Sequence, residues 1–169
     1  MFYSDFSLSS VRKIFQLKLI EKADLFVDCS ELQPSSLLSE ILKENLSLAL
    51  ASNTEKSRSE MLIAPILIDL SRQCFNRIGI FSGVNFSVDT SQGLNGNCDF
   101  LISYSENLLL ITAPIITLVE AKKEDLNGGL GQCIAEMIAA QYFNQREENE
   151  IKEIYGVVTS WHWYRLARS

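Results

Sequence analysis

The chain contains one histidine, four cysteines and fewer bases than acids, and each scarcity excludes a class of function. The single histidine, His162, lies between Trp161 and Trp163 with no serine or cysteine arrangement that would make a catalytic triad. Packing at a sheet edge is its expected role. Late-strand Trp161, Trp163 and Tyr164 are expected in a core or interface rather than stacked on bases. No two of Cys29, Cys74, Cys98 and Cys133 fall within four residues of each other, so neither a C-x-x-C redox pair nor a zinc knuckle is present. They are too few for a disulfide framework and are expected to be mostly buried, reduced thiols. The P-loop pattern G-x-x-x-x-G-K-[ST] is absent. The longest apolar run, Leu108 to Val119, spans 12 residues and is interrupted by Thr112, Pro114 and Thr117. A spanning helix needs ~20 residues. The opening residues MFYSDFSLSSVRKIFQLKLIEK lack the basic, apolar, small order of a signal peptide. A cytoplasmic protein that does not enter a membrane is expected.

Positive charge is also short. Lys and Arg number 15 against 21 Asp and Glu, a formal net charge of −6. That argues against a protein that wraps nucleic acid with a basic surface, but not against one that brings positive charge as metal ions. Hydrophobic residues make up 47 % and charged residues 21 %, which excludes disorder and low complexity. At 169 residues a single domain is expected over 1–169, with a helical part at 1–53 and a core at 54–166.

Periodicity divides the chain in two. Val11 to Ile20 reads as a short amphipathic helix. After Pro34, Leu38, Ile41, Leu42 and Leu46 recur at the spacing of one buried helical stripe. Residues 54–79 read as one helix, opened by Thr54 or Ser57 and kinked at Pro65. The pattern then becomes extended, with strands expected at 84–88, 98–104, 115–123, 154–160 and 161–166. LLLI at 108–111 is a candidate strand partner. A helix is expected at 128–145, with Gly128, Gly129 and Gly131 as a flexible junction, and 146–153 as a solvated charge run. Helices, then strands, a helix, and strands again predict an α/β fold with a mixed sheet flanked by helices and an N-terminal helical extension.

The chemistry is expected where the buried strand 115–123 meets charge. Glu120 and Lys122 lie two apart on a strand and share a face. If the strand carrying Asp99 is a neighbour, Asp99 lies beside Glu120. Two carboxylates with the backbone carbonyl of Ala121 suit a hard divalent cation that keeps several waters. Lys122 could orient a metal-bound water or offset charge on a phosphate. The triplet recurs at Glu150-Ile151-Lys152, inside a polar run, where it reads as surface. Lys123 reads as a solvated neighbour. Gln132 and Glu136 stand one helical turn apart on one face.

Asp99, Glu120-Ala121-Lys122 and a following helix with Gln132 resemble the PD-(D/E)xK nuclease superfamily. The strings SEMLIAPIL, GNCDFLIS, VEAKKEDLNGGLGQCIAEM and IYGVVTSWHW are similar to a largely cyanobacterial group within it. The resemblance covers about residues 54–166. It implies a restriction-endonuclease-like core of order helix–strand–strand–strand–helix–strand and metal-dependent hydrolysis of phosphodiester bonds. Asp99 and Glu120 would bind Mg²⁺ or Mn²⁺, helped by Glu60 from the first core helix. Lys122 would serve the attacking water or the transition state, and Gln132 would support the site. Cys98 stands where the family has proline before the aspartate. Nucleic acid is the implied partner, DNA favoured over RNA. The alternatives are a non-catalytic nucleic-acid-binding or scaffold module of the same fold, and a homodimer that assembles its activity across two subunits.

Overall fold

The computed structural model describes residues 1–20, 25, 29–122, 126–149 and 151–159. After a 3₁₀ turn at Tyr3–Asp5 come α1 (Leu8–Ile14), α2 (Ser36–Ser52), α3 (Glu55–Arg58) and α4 (Ala64–Gln73). The sheet strands are β1 (Gly79–Asn85), β2 (Asn97–Ser103), β3 (Ile115–Ala121) and β4 (Tyr155–Thr159), with α5 (Leu126–Arg146) between β3 and β4. The sheet order is β1-β2-β3-β4. The first three strands form an antiparallel meander, and β4 lies parallel to β3, reached by a crossover through α5. The architecture is therefore mixed α/β, with a four-stranded mixed sheet and flanking helices. No helix among the described residues is long and apolar enough to cross a membrane.

Alternation along the strands separates two apolar clusters. Leu101 and Leu118, with Ile115, pack under α5 together with Tyr3, Phe6 and Val11 from the N-terminal segment. Phe100, Ile102 and Val119 point the other way, against Leu67 of α4 and Ile78. The N-terminal segment thus shares the core of the sheet. Buried Asn144 copies a strand at the end of α5: its Oδ1 accepts from Ile115 N at 2.8 Å and its Nδ2 donates to Ile115 O at 2.8 Å. That pair ties the C-terminal end of α5 to the start of β3.

The helix expected at 11–20 starts earlier and stops sooner. Ser7 caps α1 by accepting from Ser10 N at 3.1 Å. Gln16 at φ 54° ends the helix, and Leu17 N closes back onto Arg12 O at 3.0 Å. The helix expected over 54–79 runs only to Gln73, because Phe75 and Asn76 both take left-handed φ of 56° and turn the chain. Gly79 therefore opens β1 rather than closing a helix, and the strand expected at 84–88 is an earlier one. Leu108–Ile111 forms no strand: β2 pairs with β1 and β3, and Leu109 is 93 % exposed. Lys123, the end of the 115–123 strand, His162 and the strand expected at 161–166 lie outside the described residues.

Pro65 is accommodated rather than avoided. Between α3 and α4 the chain widens into a π-helical turn at Ser59–Ile63, with Ala64 N reaching back to Ser59 O. In an α-helix the Pro65 nitrogen would have to serve the carbonyl of Met61, and proline has no N–H to give. Asn45 Nδ2 from α2 donates to that carbonyl at 3.0 Å. Replacing Asn45 with leucine is expected to lower stability by about 1 kcal/mol. The loss should shrink when Pro65→Ala restores the missing donor. Urea denaturation of the two single variants and the double variant measures this coupling.

Candidate active site

Asp99 and Glu120 lie at the ends of neighbouring strands. The ladder pairs Phe100 with Val119, so one step further sets Asp99 opposite Glu120. There the side chains replace the backbone ladder. Asp99 N donates to Glu120 Oε1 at 3.3 Å, and Ala121 N donates to Asp99 Oδ2 at 2.9 Å. The two carboxylates are clamped by each other's strands. By alternation Glu120 shares the face of Leu118, the face that α5 covers.

That face closes a ring. Lys122 Nζ stands 3.1 Å from Glu120 Oε2 and donates to Gln132 Oε1 at 3.0 Å. Gln132 Nε2 donates to Glu136 Oε1 at 3.1 Å, and the Glu136 carboxyl hydrogen-bonds the Glu120 side chain. Glu120 and Glu136 have no exposed surface. Gly129 makes room for the lysine: a Cβ there would stand 2.8 Å from Lys122 Cγ and 2.7 Å from Val158 Cγ1. A Cβ on Gly131 would collide with the backbone of Phe6 and Ser7. The glycines expected as a flexible junction are therefore inside α5, where they let the helix approach both the site and the N-terminal segment.

Burial sets the charge state. Desolvation raises the Glu136 carboxyl to about 10, reinforced by the charge of Glu120 and the bond to it. Desolvation also raises Glu120, against the Glu136 bond and the Lys122 ammonium that pull it down. A hydrogen bond between two carboxyls needs a proton between them, and Glu136 holds it. Burial would pull the Lys122 ammonium down, but Glu120, with Asp99 and Glu55, outweighs burial and raises it.

The structure brings Asp99, Glu120, Lys122 and Gln132 together. Glu60 is placed differently: its side chain is 59 % exposed and pairs with Lys56 one turn back at 3.0 Å. An exposed pair of this kind is worth ~0.3–0.5 kcal/mol. The acid of this segment whose charge reaches Lys122 is Glu55, in the first turn of α3. Glu55 and Glu60 stand five residues apart and so on different faces of a helix, and the sequence alone does not say which of those faces meets the sheet. Glu136 was legible only as a neighbour of Gln132. Its burial depends on how closely α5 meets the sheet, which the glycines at 129 and 131 could have signalled.

Two observations bear on a cation here. The donors are all oxygen, and beyond the Lys122 ammonium and the bond between the two carboxyls no further partner reaches the buried Glu120 Oε2 and Glu136 Oε2. Among the described residues, however, no group of three or more His, Cys, Asp or Glu is arranged to hold a metal ion. Asp99 and Glu120 supply two carboxylates of the kind a hard cation takes, and do not form a closed protein cage. Comparison with protein-family models, curated proteins and solved structures gives no match.

The raised carboxyls fix a pH dependence. Between the ordinary glutamate value and about 10, the folded protein holds a proton on Glu136 that the unfolded chain has released. The folded state binds more protons, so stability falls as pH rises through that window. Glu136→Gln keeps a neutral group at the position and is expected to flatten the fall. Urea unfolding of both proteins at about pH 5 and about pH 9 checks it. A wild-type stability that climbs with pH would contradict this charge assignment.

Proposed function

We propose that the protein is a divalent-metal-dependent nuclease with a restriction-endonuclease-like core. The observation that carries this reading is the clamped pair Asp99 and Glu120, with the Lys122 ammonium 3.1 Å from Glu120 Oε2. The order α4-β1-β2-β3-α5-β4 supports the fold assignment. Asp99 and Glu120 would hold Mg²⁺ or Mn²⁺. When bound, the ion supplies Lewis acidity and an acidified water.

The chain's own residues do the rest. Burial under α5 keeps Glu120 from rotating away, and the strand amide of Ala121 orients Asp99. Lys122 has three donor protons, of which Gln132 takes one. It can direct another toward an attacking water or a phosphate oxygen, where positive charge stabilises the developing anion. Gln132 holds the ammonium at the site, and its own amide is held by Glu136.

A second reading is a nucleic-acid-binding or scaffold module of the same fold that does not turn over. Two observations favour it: no three-carboxylate group is arranged for a metal among the described residues, and the formal charge of −6 suits a scaffold better than a surface that binds nucleic acid. A cleavage panel separates the two. Single- and double-stranded DNA and RNA are incubated with Mg²⁺, Mn²⁺ or EDTA. Metal-dependent cleavage is expected, reduced by at least ~100-fold in Asp99→Ala and Lys122→Ala. Full activity in both variants would overturn these roles, and no cleavage of any substrate would favour the module.

A further inference from the structure

We propose that a neutral cleft beside Gln132 is a subsite for one unstacked nucleobase, so that the substrate strand is presented single-stranded. This rests on the nuclease reading, since the cleft opens next to the proposed reaction centre. Its volume is about 370 Å³, and its walls include Phe2, Ser4, Asn85, Asn97 and Gln132. Gln132 is also the residue that holds Lys122, so whatever occupies the cleft lies against the active-site lysine's partner.

The lining selects the ligand. None of its side chains carries a charge, so it offers a phosphate no counterion. Carboxamides present a donor and an acceptor side by side, the pattern that matches a base edge. Asn85 Nδ2 donates to Asn97 Oδ1 at 3.3 Å across β1 and β2, which leaves the Asn97 amide nitrogen without a partner among the described residues. Phe2 supplies the flat apolar face on which a base can stack.

A lone exposed phenylalanine is ordinary; one held on a fixed backbone is less so. The Phe2 side chain is 58 % exposed, yet Phe2 N donates to Asp5 Oδ2 at 2.7 Å and Met1 O accepts from Asn95 Nδ2 at 3.1 Å. Next door, Tyr3 N donates to Asn95 O at 3.0 Å and the buried Tyr3 hydroxyl donates to Phe86 O at 2.7 Å. Gly96, at φ +146°, completes the anchor: a Cβ there would stand 2.9 Å from Tyr3 Cδ2. The molecule thus fixes both neighbours of Phe2 while leaving its ring in solvent beside two carboxamides.

The test measures binding of a fluorescently labelled single-stranded oligonucleotide in EDTA, so that no cleavage intervenes. Phe2→Ala is expected to weaken binding by about five- to fifty-fold, Phe2→Trp to retain it, and Asn97→Ala to weaken it by about ten-fold. A strand carrying abasic sites should bind the wild type as weakly as the intact strand binds Phe2→Ala, with no further loss when the two changes are combined. Binding by Phe2→Ala within about two-fold of wild type, equal binding of abasic and intact strands, or no binding of any oligonucleotide would overturn the subsite. The nuclease reading fails separately. Phe2-dependent binding without cleavage in any metal keeps the subsite and removes hydrolysis. Metal-dependent cleavage indifferent to Phe2 and Asn97 removes the subsite and keeps hydrolysis.

Discussion

A carboxylate with no exposed surface has to be compensated from within, because desolvating an unpaired charge costs several kcal/mol. Glu120 is such a group, and the arrangement around it follows from that cost. Asp99 N lends it one hydrogen bond, the Lys122 ammonium lends it opposite charge, and Glu136 lends it a proton. Lys122 is only partly buried, so it could swing into water. Gln132 holds it in place, and Glu136 fixes which way the Gln132 amide points. Each member of the ring therefore has a reason in the next, and the reason for all of them is the burial of one acid at the end of β3.

The ring closes only if α5 comes very near the sheet. Small residues make that approach: Gly129, Gly131, Cys133, Ala135, Ala139 and Ala140 are all buried. Glycine within a helix costs about 1 kcal/mol against alanine, and here the cost is offset by contacts that a Cβ would forbid. The same helix is fixed at its far end by Asn144 on Ile115. Two polar contacts at opposite ends hold α5 along β3, with apolar packing between them. The N-terminal segment also packs against α5 through Phe6 and Val11, so it helps keep the site's helix in place.

The strands that carry the candidate site were legible in the sequence because they are apolar and abruptly charged at one end. Glu120 and Lys122 share a face by the two-residue period alone. The helix after Pro34 was legible from its apolar stripe and the helix at 128–145 from its alanine content, and the structure places them at 36–52 and 126–146. What was not legible depended on backbone conformations that no apolar pattern records. The left-handed pair Phe75–Asn76 ends a helix whose pattern would have continued. The π turn at 59–63 lets a proline stay inside a helical run. Leu108–Leu110 look like a strand by composition, but β2, the preceding strand they would pair with as a hairpin, already has neighbours on both sides. Asn144 was invisible as a structural residue, because a backbone-mimicking amide needs its partner's position to be known.

The acidic balance of the chain takes a different meaning at the site. With Glu136 protonated, the formal charges of Asp99, Glu120 and Lys122 sum to −1 (−2 + 1), and the nearby Glu55 adds to the acid side. A phosphate would be repelled from that centre as it stands. Under the proposed function a divalent cation at Asp99 and Glu120 reverses the sum to +1, which lets a phosphate approach the two acids only once the metal is in place. A neutral cleft next to such a centre is the complementary device. It can hold a strand by a base, whose recognition does not depend on the local field, while the backbone is brought to the acids only when charge permits.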